Sequence, residues 1–104
     1  MNRINNNNLK NFINNLFNKI TYSQNSGNSQ EDAIKILGAK NTFEGIDAEY
    51  KYISTIYGKE NEDWRLLSQA LLVDKGKQID HLKILLKTGE RAEFYFDVSD
   101  FFGR

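Results

Sequence analysis

The stretch W-R-L-L-S-Q-A-L-L-V-D-K-G-K-Q-I-D-H-L-K-I-L-L-K-T-G-E-R-A-E-F-Y-F-D-V-S, residues 64 to 98 with Ser99, decides the fold. Taken alone, Trp64 to Val73 satisfies a period of two nearly as well as a period of 3.6, so it reads as strand or helix. The residues after it select strand. D-K-G-K (74 to 77) is a glycine-containing hairpin turn, and Gln78 to Lys87 sets Leu82, Ile84 and Leu86 on one side. T-G-E (88 to 90) turns the chain again, and Ala92, Phe94, Phe96 and Val98 resume the alternation. Three such runs at short spacing predict an antiparallel meander with one apolar face.

Upstream, the pattern changes to helical spacing. Leu9, Phe12, Ile13, Leu16, Phe17 and Ile20 recur every three or four residues, and the asparagines from Asn5 to Asn8 supply caps for a helix that starts near Asn8. The run T-Y-S-Q-N-S-G-N-S, residues 21 to 29, has the small polar composition of a mobile loop. Ser29 followed by Asp32, then Ala33, Ile34 and Leu37 ahead of Gly38, predicts a short second helix with a left-handed stop. Asp47 is the expected cap of a third helix, with Ile46, Tyr50, Ile53, Ile56 and Tyr57 as its apolar face and Gly58 as its end. The expected fold class is therefore α+β, with about three N-terminal helices packed on one face of a C-terminal three-stranded antiparallel meander, all within one domain spanning residues 1–104.

Composition narrows what such a domain does. Among 104 residues there is no cysteine, which removes disulfides, thiolate chemistry and sulfur-based zinc sites. No stretch is apolar for long enough to span a bilayer, and the start lacks the pattern of a leader peptide, so a soluble cytoplasmic protein with no membrane partner is expected. Net charge is zero but unevenly laid out: residues 1 to 30 carry three bases and no acid, whereas residues 31 to 63 carry eight acids against four lysines. A nucleic-acid binder needs a basic stripe that displaces counterions, and three bases do not make one. The acidic middle suits a basic protein partner.

Candidate reactive groups thin out under the same reasoning. His81 is the only histidine and follows Asp80, but strand neighbours point to opposite faces, so the two would not meet as base and orienting carboxylate. Glu93, Tyr95 and Asp97 share the outer side of the last strand, an arrangement that reads as a solvated or partner-facing surface and not as a metal site. Trp64 reads as core packing, and Phe101-Phe102 as a tail folded back over the core. No glycine spacing fits a phosphate loop. The expectation is a protein without catalytic, cofactor-binding or metal-binding residues, hence no enzyme. The partner-binding candidates are Glu49, Tyr52, Glu60, Glu62 and Asp63 at the end of the third helix and its loop, with Tyr95 and Asp97 second, because tyrosine among carboxylates suits a hot spot with a polar rim.

The α+β order, the E-N-E-D loop at residues 60 to 63 and the ending F-Y-F-D-V-S-D-F-F-G at residues 94 to 103 make the whole chain resemble the small immunity proteins of polymorphic toxin systems, including contact-dependent growth inhibition. That resemblance implies a bacterial protein that binds a cognate toxin domain and blocks its active site, with a basic nuclease as the expected toxin. The alternative is a cystatin-like or cone-shaped α+β domain that holds a small ligand without catalysis.

Overall fold

A computed structural model of the chain describes residues 20–104. The element order is β1 (Thr21–Tyr22), β2 (Ile34–Leu37), α1 (Thr42–Tyr57), β3 (Trp64–Asp74), β4 (Lys77–Leu86) and β5 (Arg91–Asp97). The five strands form one sheet in the order β1-β2-β5-β4-β3, with β2 parallel to β5 and every other pair antiparallel. This corrects the expected fold class. Among the described residues there is one helix on a five-stranded mixed sheet, not three helices on a three-stranded meander. The helix expected near Asn8 lies outside the described residues.

The meander itself is β3, β4 and β5. Its first turn closes with Asp74 opposite Lys77 and takes positive φ at Lys75 (51°) and Gly76 (79°), the backbone of a two-residue hairpin whose twist matches the strands. Leu82, Ile84, Phe94 and Phe96 are buried on the side that faces α1, as their alternation predicts. Trp64 is buried too, and its indole Nε1 donates to the Gly58 carbonyl at 3.0 Å.

The short second helix is where local reading fails. Ile34 and Ile36 are fully buried while Lys35 and Leu37 face outward, the period-two signature of a strand, and Ile34 pairs with Phe96 across the sheet. β-branched side chains packed on a sheet outweigh a helix of two turns, which is marginal by itself. Asp32 caps no helix: its carboxylate accepts from the Ser26 amide at 2.8 Å and from Asn25 Nδ2 at 2.7 Å, bonds that hold it below the usual carboxylate range and tie down the 23–33 loop. Thr21 and Tyr22, expected in a mobile loop, form β1 against Leu37 and Ile36.

Helix α1 starts five residues before the expected cap. Asn41 is the N-cap, its Oδ1 accepting from the Glu44 amide at 2.9 Å, while Glu44 reaches back to accept from the Lys40 amide at 2.8 Å. Gly58, at φ 105°, ends it. The residues it buries are Gly45, Ala48, Glu49 and Ile53, one helical stripe. Gly45 is there because a Cβ at that position would run into the Phe101 ring. Phe101 folds back as expected and packs under the helix, whereas Phe102 stays exposed.

Candidate functional site

The stripe that α1 buries is offset from the one its hydrophobicity predicts. Of Ile46, Tyr50, Ile53, Ile56 and Tyr57, only Ile53 is fully buried. Phe43 is 82% exposed and Ile56 53% exposed, and Ile46 and Tyr57 are exposed as well. Small residues at 45 and 48 let the helix settle close to the sheet on their side, so the larger apolar groups turn outward.

Phe43, Ile46 and Tyr50 line a shallow cleft of about 220 Å³ together with Asp47 and Glu60. Small-molecule sites typically hold roughly 300 to 1,000 Å³. This cleft has room for one inserted side chain. Tyr50 closes its floor, packing edge-on against Trp64 with ring centroids 5.7 Å apart. Burial first, and then the neighbouring acids Glu60, Glu49 and Asp80, push the Tyr50 hydroxyl pKa up from its ordinary value.

Both charged residues that line this cleft, Asp47 and Glu60, are acids. Between residues 41 and 63 the acids are Glu44, Asp47, Glu49, Glu60, Glu62 and Asp63, against Lys51 and Lys59. Two acids are answered by ion pairs, Asp47 with Lys51 at 2.9 Å and Glu62 with Lys59 at 3.7 Å, both well exposed and so weakly held. Asp63 Oδ2 accepts from the Lys59 amide at 2.7 Å and lies against Gly58, so this carboxylate shapes the loop that leaves α1.

The seven expected contact residues do not come together. Glu60, Glu62 and Asp63 lie at the acidic end of α1, as the sequence places them. Glu49 is fully buried under the helix, and neither carboxylate oxygen has a hydrogen-bond partner among the described residues. Burial, with the Asp80 carboxyl beside it, raises its pKa from 4.5 to about 10, so it is protonated and uncharged at neutral pH. Asp80 is held on its other side by Gln69 Nε2 at 2.9 Å. Tyr52 is half-buried in an aromatic group, with ring centroids 5.0 Å from Tyr22 and 5.6 Å from Phe96.

Tyr95 and Asp97 occupy the opposite face of the sheet from α1. Tyr95 stacks flat on His81 with centroids 4.1 Å apart, and His81 Nε2 lies 2.6 Å from Glu93 Oε1. The neighbour Asp80 points the other way, as strand geometry requires. Asp97 is buried and accepts from the Ser99 hydroxyl at 2.6 Å and the Ser99 amide at 3.0 Å, which commits it to the turn after β5.

Phe43 and Ile46 are the residues sequence reasoning missed. Both precede Asp47, the expected cap, and so fell outside the expected helix or at its edge. The signal was available in Asn41 with Glu44 three residues later, a capping pair that moves the helix start forward. Comparison with protein families, with curated proteins and with solved structures finds no match to this chain.

Proposed function

We propose that this chain is a non-catalytic, cytoplasmic protein-binding module of the immunity type, which neutralises a basic toxin domain by covering it with the outer face of α1. The observation that supports this reading is Phe43, the most exposed large apolar side chain among the described residues, at the mouth of a cleft rimmed by Asp47 and Glu60. An apolar anchor beside a one-sided charge is the layout of a recognition surface: burial of the ring supplies affinity, and the acids speed encounter with a basic partner. The two charged residues that line the cleft are both acids, and along residues 41 to 63 the acids other than the buried Glu49 outnumber Lys51 and Lys59 by three.

The ligand-binding alternative loses its support in the core. A cone-shaped pocket needs space between helix and sheet, and that space is filled by Ile53, Leu82, Phe94, Phe96 and Phe101. No helix among the described residues is long and apolar enough to cross a membrane.

Co-expression with the product of the gene that precedes it tests the proposal: rescue of growth and copurification are expected, and failure of both removes the immunity reading. Within a recovered complex, reversing Glu60 and Glu62 to lysine is expected to slow association and flatten its dependence on salt. Asp63 is left intact because its carboxylate holds the loop. Unchanged association kinetics would move the interface away from α1.

A further inference from the structure

Among the described residues, β3 forms one edge of the sheet: ten of its eleven residues pair with β4 on one side, Leu67 being the bulged one, and no strand lies on the other. A free edge of that length presents a row of backbone donors and acceptors, and folded proteins usually protect such a row with inward charges, proline or a short strand. From Leu66 to Val73 this edge has none of these. It carries a single bulge between Leu66 and Ser68, and three exposed apolar side chains at Leu67, Leu71 and Val73.

The sequence of that edge reads nearly the same in both directions. L-S-Q-A-L, residues 67 to 71, is a palindrome about Gln69 if the small residues Ser68 and Ala70 are taken as equivalent. An antiparallel pair of identical strands related by a two-fold axis sets each residue against its mirror position, so a palindrome is what makes such a contact complementary to itself. We infer that β3 pairs with β3 of a second copy of this chain, two-fold about Gln69, joining two five-stranded sheets into one of ten.

The register works residue by residue. Gln69 meets Gln69 of the second copy, and Ser68 meets Ala70, two small residues on the face away from α1. Leu66 and Leu67, which share one position at the bulge, meet Leu71 on the α1 side. Gln69 and Leu71 lie on that side because they pair with Leu82 and Asp80 of β4. Beyond the bulge, Arg65 comes within diagonal reach of Asp74 of the second copy, so opposite charges close both ends of the pairing. Leu71 is 41% exposed in the single chain and would lose that exposure in the pair. The contact uses none of Phe43, Ile46, Glu60 or Glu62, and it stands apart from the proposed toxin-binding surface.

Sedimentation velocity of the full chain across a concentration series tests this. A species of twice 12.1 kDa is expected to accumulate with concentration. Leu71→Lys sets a charge against the leucines of the other copy and should weaken dimerisation by roughly a hundredfold, and its unchanged far-UV circular dichroism would show that the fold survives. Phe43→Ser, on the far side of α1, should leave the equilibrium where it is. A chain that stays monomeric up to about 0.5 mM, in the range where weak association is populated, would overturn the inference. So would a dimer indifferent to Leu71→Lys, or one lost in Phe43→Ser.

Discussion

The two faces of α1 invert the usual relation between hydrophobicity and burial. The inner face is Gly45, Ala48, Glu49 and Ile53, which includes a side chain with no bulk and one with a carboxyl group; the outer face carries Phe43, Ile46 and Ile56. Apolar area alone would turn the helix the other way, since each fully buried large side chain contributes about 1.5–3 kcal/mol. What decides the orientation is fit. Phe101 needs the gap at Gly45, Tyr22 donates its hydroxyl to the Ala48 carbonyl at 2.8 Å, and the close approach these allow packs Ile53 on the sheet. The outer face keeps its hydrophobic surface because nothing among the described residues claims it, which is the condition a recognition surface requires.

The largest effect expected on this contrast comes from the inner face. Phe101→Ala empties the space that Gly45 opens and should cost about 3–5 kcal/mol of stability, read from urea unfolding. A loss under 1 kcal/mol would mean that the helix is positioned by something other than this contact. Next is the buried carboxyl. Glu49 has its pKa raised in the folded protein, to about 10 from 4.5, so the folded state holds a proton that the unfolded chain releases. The associated stability is complete below about pH 4.5 and drains as pH rises towards 10, by up to about 1.4 kcal/mol per pH unit. Glu49→Gln keeps the shape and removes the titration. Its stability should change less between pH 5 and pH 8 than that of the unsubstituted protein, with the variant relatively more stable at the alkaline end. Parallel stability curves for the two proteins would show that Glu49 is not the titrating group.

Sequence made the long-range part of this fold legible only where local signals were redundant. Alternation in β4 and β5 agreed with the turns at Gly76 and Gly89, so the meander could be read without knowing its partners. β1 and β2 had no such support: two and four residues long, they are strands because of Phe96, sixty-two positions after Ile34, and no window around Ile34 contains that fact. The candidate site divides in the same way. Glu60 and Glu62 stand out as local charge and lie on the surface. Glu49 reads as one more acid on a helix, since glutamate is rarely buried, and its withdrawal into the core depends on how close the backbone comes at Gly45 and Ala48.

Gly45→Ala separates fit from propensity on that inner face. In an exposed helix interior the change stabilises by about 0.5–1 kcal/mol. Here the added methyl collides with the Phe101 ring, and overpacking of a filled site costs about 1–3 kcal/mol, so a net loss is expected in urea unfolding. A gain in stability would show that Phe101 moves aside at no cost.

The smallest effect on stability is expected on the outer face, and it is the one that bears most on function. Phe43 is 82% exposed, so replacing it with serine removes little buried area and should change stability by no more than about 0.5 kcal/mol. In the complex the same ring would be the group that leaves water, and an anchor of that kind is worth about 2 kcal/mol or more, a weakening of binding by thirtyfold or greater. The two numbers together separate a recognition face from an idle one. Phe43→Ser with native stability and lost toxin binding would place the anchor on α1. If the variant instead unfolds readily, the ring already has an intramolecular partner, and the outer face of the helix belongs to the fold.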